Sequence, residues 1–337
     1  MQQYYAVDVG FGNVKGITNG KYCIFPAVIG DFSPVSFTLG KQDQQDPLSY
    51  TAIEYNYKRY FVGEAALKQS DGRNTIDRDR TILEEGMVLL ATALSVLSQK
   101  RFEDIKLVVG LPEMHYSSMK DEYRNVAEGI HEINLLNFSG EIVRSLSYNV
   151  KEVAVIPQPM GTYFDYFLDS DGNFNNDRKK YAVGNIGIVD IGFNTLDLSR
   201  IDALDPIGKR STSYPLGMFG AFQELSNEIY QAFGVEIPPE ELEPFVQRKE
   251  IFVFGQRKPI HEQMKTAFTT HCEKILSRIK SFWPDRWELT KVLITGGGSI
   301  YLGDYLKEEF KGVAEVVPNP IFANVNGYLK YAKRLWG

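Results

Sequence analysis

The pentapeptide Val7-Asp8-Val9-Gly10-Phe11 recurs, with a single Val-to-Ile exchange, as Val189-Asp190-Ile191-Gly192-Phe193 in this 337-residue chain. Each copy lies between two short runs of residues that favour β-strands. The pattern predicts two strand-flanked turns, each with an acid at the end of the incoming strand and glycine in the turn. A protein with such a turn in each of two similar halves can close both turns on one nucleotide.

The residues after each turn indicate which kind of turn it is. Strand character resumes at residues 14–17 after the first copy and at 196–201 after the second. Both turns are therefore expected to join the two strands of a hairpin. In a Walker loop or a dinucleotide-binding fingerprint the glycines lead from a strand directly into a helix, so the chain contains neither motif.

The composition is that of an ordinary globular protein and excludes several classes. Hydrophobic residues make up 43% of the chain and charged residues 24%, and the formal net charge is −6. Lys and Arg are interspersed among acids, so direct binding of nucleic acid is not expected. The longest apolar stretch, residues 87–97, is far shorter than the ~20 residues of a membrane span. With no signal region and only two cysteines, the sequence predicts a cytoplasmic protein without membrane association.

The first turn carries groups that suit a phosphate. Gly10 and Gly12 would let backbone amides approach phosphate oxygens that a side chain would obstruct, and Lys15 adds a cation. Asp8 is too acidic to face phosphate directly and is expected to hold a magnesium ion through water. Taken alone, the turn could also be a tight hairpin with an ordinary Asp and an exposed Lys.

The second turn repeats the acid and the glycine and adds Asn194 and Thr195, short polar residues that suit phosphate or metal-bound water. Further along, a buried strand ending at Ile294 runs into three successive glycines, residues 296–298. A flat base or ribose could lie against such a backbone, although a triple glycine alone could be a flexible turn. The three segments in this order predict a nucleotide site.

With these segments the chain resembles the actin-like ATPases, within the superfamily that includes sugar kinases and the heat-shock chaperone ATPase domain. It is most similar to the plasmid-segregation ParM/StbA branch and to archaeal actin-like proteins. Residues 7–15 resemble the family's first phosphate loop, 189–197 its second and 294–303 its adenosine motif. Segments 60–66, 109–112 and 322–328 are also similar to the ParM-like branch.

The resemblance implies an α/β protein with the actin-like, ribonuclease H-like duplicated fold, in which two domains surround a nucleotide cleft. The first domain is expected at 1–157 and 322–337, with a small inserted subdomain at about 31–80, and the second at 158–321. The implied cofactors are Mg²⁺ and ATP, with GTP as an alternative nucleotide.

The resemblance also assigns roles to residues. Asp8 and Asp190 would organise magnesium and the attacking water, and Gln158 would orient that water. Because an amide is not a strong base, the implied hydrolysis is slow. The other implied nucleotide contacts are Gly10, Phe11, Gly12, Asn13, Lys15, Gly192, Asn194, Thr195, Gly217, Gly296, Gly297, Gly298 and Tyr301.

The implied function is nucleotide-driven assembly, in which ATP favours a filament and hydrolysis weakens its subunit contacts. The partners would be further copies of the chain and an adaptor protein that links the filament to DNA, for plasmid segregation or a prokaryotic cytoskeleton. A small-molecule kinase of the same superfamily is the alternative, although residues 108–113 offer only Glu113 as an acid facing an acceptor. A membrane-binding module would depend on the cationic ending 328–336, which is expected instead to pack as the last helix of the first domain.

Overall fold

The computed structural model describes residues 3–10, 12–34, 51–70, 73–74, 79–98 and 100–337. The chain divides into two compact units. Unit 1 comprises Met1–Asn175 together with Phe322–Gly337, and unit 2 comprises Asn176–Ile321. Each unit has its own sheet and its own hydrophobic core.

Unit 1 is built on a ten-stranded mixed sheet. Its strands are β1 (Gln3–Val9), β2 (Asn13–Thr18), β3 (Lys21–Pro26), β4 (Val28–Asp31), β5 (Ala52–Tyr55), β6 (Lys58–Val62), β7 (Arg73–Asn74), β8 (Phe102–Leu111), β9 (Gly129–Leu136) and β10 (Ile142–Pro157). Their order across the sheet is β3-β2-β1-β8-β10-β9-β5-β6-β4-β7. β8 pairs in parallel with both β1 and β10. The carboxyl ends of these three strands therefore lie along one edge, where α/β sheets bind ligands.

In the part of unit 1 that the structure describes, four helices precede residue 175, namely α1 (Glu64–Gln69), α2 (Asp79–Leu97), α3 (Glu113–Ala127) and α4 (Pro159–Phe167). The longest is α2, whose buried residues include Met87, Leu90, Leu94 and Leu97. Their three- and four-residue spacing places them on one face of the helix, which packs against β1, β2 and β3.

Unit 2 contains strands β11 (Asn185–Ile191), β12 (Leu196–Asp202), β13 (Asp205–Pro206), β14 (Thr212–Tyr214), β15 (Glu250–Val253), β16 (Gln256–Pro259), β17 (Lys291–Thr295) and β18 (Ala314–Val316). Its helices are α5 (Lys179–Ala182), α6 (Met218–Phe233), α7 (Glu243–Arg248), α8 (His261–Phe282) and α9 (Ser299–Glu309). β15 and β16 form a separate hairpin, and the main sheet runs β13-β12-β11-β17-β18 with β14 beside β12. β11 pairs antiparallel with β12 and parallel with β17, as β1 does with β2 and β8. The two units thus repeat one arrangement around their acid–glycine turns.

The chain returns to unit 1 in α10 (Ala323–Trp336), which packs against α4 and β1. The two helices touch at Gly161 and Gly327, where a Cβ on Gly327 would overlap the carbonyl oxygen of Gly161. This packing explains why the first boundary differs from the predicted one. Residues 158–175 were expected in the second domain, but α4 follows β10 directly and packs on α10, so the division comes after Asn175.

The segment predicted as an inserted subdomain, about 31–80, continues the main sheet of unit 1 where it is described. β5 pairs with β9, and β6, β4 and β7 follow outward from it. Residues 35–50, 71–72 and 75–78 of that segment lie outside the described residues. None of the helices in the described part of the chain combines the length and the apolar character that a bilayer crossing requires.

Candidate functional site

The first turn closes the β1–β2 hairpin of unit 1. Asp8 pairs with Lys15, and the N–H of Gly10 donates to the carbonyl oxygen of Asn13 at 3.2 Å. Directly opposed residues of an antiparallel pair point to the same face, so the Asp8 carboxylate and the Lys15 ammonium share one face of the sheet. A Cβ on Gly10 would lie only 3.0 Å from the Asn13 oxygen, so glycine keeps this turn tight. Gly12 also lies in the turn, whereas Phe11 falls outside the described residues.

The Asp8 carboxylate is 2% exposed and is held by two side-chain amides. Nε2 of Gln158 donates to its Oδ1 at 2.7 Å, and Nδ2 of Asn324 lies 3.4 Å from its Oδ2. Gln158 reaches this point because it follows the end of β10, and its N–H donates to the carbonyl oxygen of Leu111 at the end of β8. The structure therefore brings Asp8 and Gln158, both predicted to be catalytic, into direct contact.

This contact also determines which way the Gln158 amide faces. A carboxylate accepts hydrogen bonds, so the NH₂ group of Gln158 faces Asp8 and its amide oxygen faces away. The amide oxygen is the part of this side chain that can accept a hydrogen bond from water. An amide held in this way can orient a water molecule without removing its proton.

The second turn repeats the hydrogen-bonding pattern of the first. Asp190 pairs with Asp197 across the β11–β12 hairpin, and the N–H of Gly192 donates to the carbonyl oxygen of Thr195 at 2.9 Å. Asp197 occupies the place of the lysine in the first turn, and its Oδ2 accepts the Thr195 hydroxyl at 2.8 Å. Asn194 is exposed and Thr195 is partly buried. The turn offers a carboxylate at the strand end and polar side chains beyond it.

Gly217 precedes α6 and lets that helix approach the second turn. Its N–H donates to the carbonyl oxygen of Asn194 at 3.1 Å, and the N–H of Met218 donates to that of Gly192 at 3.0 Å. A Cβ at residue 217 would lie 2.5 Å from the carbonyl oxygen of Phe193, so this approach requires glycine. What the structure shows for Gly217 is close packing on the turn, and its contact with a nucleotide stays a prediction.

The three successive glycines between β17 and α9 differ in their surroundings. Gly296 has a φ of +83°, and a Cβ there would overlap both Oδ1 of Asp190 and the carbonyl oxygen of Ile191. Gly298 donates its N–H to the same Ile191 oxygen at 2.9 Å, and a Cβ there would overlap the Ile191 side chain. Gly297 has no atom within 4 Å of the place its Cβ would take. The outer two glycines therefore seat the turn against β11, and the middle one faces open space.

Tyr301 lies in the first turn of α9, at the edge of the unit 2 core. Its ring centroid is 5.8 Å from that of Phe268 on α8. Burial raises the pKa of the Tyr301 phenol, and the negative charge of Glu243 raises it further. The structure gives Tyr301 a packing role, and its predicted contact with adenosine stays a prediction.

The predicted site residues thus form one group in each unit. The carboxylates and polar groups of each are of the kinds that bind Mg²⁺ and a nucleotide. Proteins bind Mg²⁺ through one or two carboxylates, and water and phosphate oxygens fill its remaining positions. Asp8 and Asp190 supply such carboxylates from equivalent positions in the two hairpins. Gly296 has no side chain, and this leaves space for the Asp190 carboxylate. Among the described residues, no group of three or more His, Cys, Asp and Glu side chains could hold a metal ion. A cation at either carboxylate would therefore depend on water and phosphate for most of its ligands.

Sequence reasoning did not assign a role to three residues of the unit 1 group. Asn324 contacts Asp8, Thr162 donates both its N–H and its hydroxyl to Oδ1 of Asn324 at 3.1 and 2.9 Å, and the Tyr328 hydroxyl donates to the carbonyl oxygen of Gln158 at 3.3 Å. One signal was present in the sequence. Asn324 lies beside Val325 and one helical turn before Tyr328, and a polar amide among the buried residues of a helix must find hydrogen-bond partners.

The duplicated hairpins, each set between an antiparallel and a parallel neighbour, define a protein of the actin-like fold. Family models match both parts of the chain: the N-terminal domain of actin-like proteins matches residues 6–161, and the C-terminal domain of the archaeal MreB-like actin homologue matches residues 188–308. The chain belongs to the actin-like proteins, as the sequence motifs predicted.

Solved structures resemble the chain over its whole length. The ParM of a 15-stranded filament from Clostridium botulinum is 27% identical, with 99% of each chain covered and a TM-score of 0.76. The archaeal actin homologue Ta0583 is 19% identical, with 99% of this chain and 100% of that chain covered and a TM-score of 0.79. A structure of the same homologue in complex with ADP is 20% identical at the same coverage, with a TM-score of 0.74. No curated protein sequence matches the chain significantly.

Proposed function

We propose that this protein is a cytoplasmic actin-like ATPase that binds ATP and Mg²⁺, hydrolyses ATP slowly and assembles into nucleotide-dependent filaments. The observation that carries the proposal is the contact between Gln158 and Asp8 at 2.7 Å, at the carboxyl edge of the parallel strands. A buried carboxylate beside an oriented amide suits the control of a magnesium-bound water at a phosphate.

In this proposal both turns contribute residues to the phosphate site. Asp8 and Asp190 would hold Mg²⁺, and Gln158 would orient the attacking water through its amide oxygen. Mg²⁺ supplies charge neutralisation at the phosphates when it is bound. The residues that would contact the β- and γ-phosphates are Gly10, Phe11, Gly12, Asn13, Lys15, Gly192, Asn194 and Thr195. The adenosine contacts Gly217, Gly296, Gly297, Gly298 and Tyr301.

The relatives support the assembly part of the proposal. The ParM from Clostridium botulinum forms a 15-stranded filament, and the archaeal actin homologue was solved in complex with ADP. We extend both properties to this chain and propose that its filaments position DNA through an adaptor protein, as in plasmid segregation, or serve as a cytoskeleton. GTP is an alternative to ATP, because the backbone of a glycine turn contacts any flat base.

The test combines phosphate release with sedimentation of the full-length protein. Wild type with Mg-ATP should release phosphate slowly and form sedimentable filaments. The same assays with GTP, with ADP and without nucleotide measure how phosphate release and assembly depend on the nucleotide. Asp190→Asn removes a carboxylate charge from the second turn and should slow phosphate release by about 100-fold with an unchanged circular dichroism spectrum. Asp304→Asn is the matched control, because that carboxylate is 90% exposed on α9 of the same unit.

Four outcomes would contradict the proposal in different ways. Absence of ATP or GTP binding would reject the nucleotide site. Normal turnover by Asp190→Asn would remove that residue from it. Phosphate transfer to a small acceptor, faster than transfer to water, would favour the kinase alternative, and absence of filaments across salt and protein concentrations would reject the assembly.

A further inference from the structure

We propose that Asn324, in the first turn of the last helix, is a positioning residue that holds the Asp8 carboxylate, and through it the Gln158 amide, in the orientation that the site uses. The inference rests on the proposed ATPase function. The inference extends that function by assigning part of the site to α10, the helix that follows unit 2 in the chain.

The hydrogen bonds around Asn324 leave one orientation for its amide. Its Oδ1 accepts both the N–H and the hydroxyl of Thr162, at 3.1 and 2.9 Å. Its NH₂ group must then face the other way, toward Oδ2 of Asp8 at 3.4 Å. Asn324, Thr162 and Asp8 are 8%, 0% and 2% exposed, so water competes little with these contacts. At 3.4 Å the contact with Asp8 is long, and it acts by orienting a dipole toward the carboxylate more than by a strong hydrogen bond.

The two oxygens of Asp8 are therefore held by two different amides. Gln158 holds Oδ1 and Asn324 holds Oδ2, so together they fix the plane of the carboxylate. Without Asn324 the carboxylate could turn about its χ2 angle, and Gln158 would turn with it. The Gln158 amide oxygen would then lose the fixed direction that orientation of a water molecule requires.

The packing of α10 makes Asn324 a rigid support. The helix touches α4 at the glycine pair of residues 161 and 327, and the Tyr328 hydroxyl bonds the carbonyl oxygen of Gln158 at 3.3 Å. Further along, three cationic side chains tie the helix to α4 and to the segment that follows it. Lys330 pairs with Asp165 at 2.8 Å, Lys333 donates to the carbonyl oxygen of residue 170 at 2.6 Å, and Arg334 donates to that of residue 172 at 3.2 Å. The cations of the C-terminal end are thus used within unit 1.

The decisive variant is Asn324→Asp, which keeps the size of the side chain and the acceptor for Thr162 but replaces the donor that faces Asp8 with a second carboxylate. Two carboxylates at this distance repel each other, so the variant replaces the contact that orients the Asp8 carboxylate with one that turns it away. The matched control is Asn326→Asp on the same helix, where the replaced amide accepts an exposed hydrogen bond from Tyr22.

We expect Asn324→Asp to lower kcat about 10-fold at pH 8 while KM for ATP and the affinity for ADP change less than about 3-fold. A defect that only loosened the fold would also raise KM and weaken ADP binding, so this split between kcat and KM separates positioning of the carboxylate from structural damage. Asn326→Asp should leave kcat and KM within about 2-fold of wild type.

Wild-type kcat in folded Asn324→Asp, or a loss of ADP affinity as large as the loss of kcat, would overturn the assignment. Should that variant fail to fold, Thr162→Val decides, because it removes one of the two donors that orient Asn324. It should lower kcat about threefold at an unchanged KM, and an unchanged kcat would overturn the inference. Failure of the proposed function has a different signature, because wild type itself would then hydrolyse no nucleotide.

Discussion

The substitution Gly296→Ala tests how the triple glycine supports Asp190. Gly296 has a φ of +83°, in the left-handed region that side chains disfavour. The added Cβ would overlap Oδ1 of Asp190 and the carbonyl oxygen of Ile191. Ile191 ends the β-strand that carries the site, and its carbonyl oxygen already accepts the N–H of Gly298. The methyl group can therefore be accommodated only if the turn and β11 move apart.

The expected cost has two parts. Placing alanine in the left-handed region costs about 1–2 kcal/mol. Displacing packed backbone to relieve the overlap costs about 1–3 kcal/mol. Gly296→Ala should thus lower the free energy of unfolding of unit 2 by about 2–5 kcal/mol. Because the overlap is with the Asp190 carboxylate itself, phosphate release should fall as well.

Gly297→Ala is the matched control for stability, since it adds the same methyl group one residue later in the same turn. No atom lies within 4 Å of its Cβ, and its backbone is outside the left-handed region. Its free energy of unfolding should stay within about 0.5 kcal/mol of wild type. If Gly297 contacts the nucleotide, this variant should still lose affinity for ADP, which separates binding from stability.

Urea unfolding followed by tryptophan fluorescence measures the difference. Trp283 is a suitable reporter because it is fully buried in unit 2 and its Nε1 donates to the carbonyl oxygen of Arg210 at 2.9 Å. Replacing Trp287 and Trp336 by Phe in all proteins leaves this single signal. Equal stability of the two alanine variants would refute the close packing of Gly296 on Asp190.

Three further predictions concern buried ionisable groups. Arg200→Met should destabilise unit 2 by about 1–3 kcal/mol in urea unfolding, because the 4%-exposed Arg200 side chain pairs with Asp285 at 2.9 Å and donates to Oδ1 of Asn185 at 2.6 Å, while Asp285 keeps Arg210 at 2.8 Å. A loss below about 0.5 kcal/mol would contradict this. His271 is 1% exposed, and burial, opposed by Glu224, lowers its pKa below the ordinary 6.5. The free energy of unfolding should therefore fall as the pH drops from 7 to 5, because the unfolded state binds the proton more readily, and His271→Leu should show a shallower slope than wild type. Burial raises the pKa of both Cys23 and Cys272 to about 12, so a thiol reagent at pH 8 should label neither in the native protein and both in urea, and rapid native labelling of either would show that it is accessible.

The hairpin turns are the part of the site that could be predicted most fully. The acid, the glycine and both flanking strands lie within one short stretch of chain, residues 3–18 in the first copy and 185–202 in the second. The structure gives both turns the same hydrogen bond, from the glycine N–H to the carbonyl oxygen three residues later. Such a turn depends on backbone propensities and on hydrogen bonds between near neighbours, which a short stretch of sequence determines. The same holds for the pairing of the turns with their strands, and hence for the family.

The different surroundings of the three successive glycines could not be predicted from the sequence. Three identical residues predict one flexible or open turn, yet two of them pack against β11 and only Gly297 faces open space. The difference comes from β11, which lies beside β17 through parallel pairing across a long connection. No property of the glycines themselves distinguishes them.

The sequence by itself determined the two acid–glycine hairpins, their strands and the actin-like class, because each depends on residues that are close together in the chain. Only the tertiary structure decided that α4 stays with unit 1, that Asn324 holds Asp8, and that the cations of the last helix bind the segment after α4. These features join residues more than 100 positions apart. They depend on how the helices pack at the glycine pair of α4 and α10, and a local pattern carries no information on that packing.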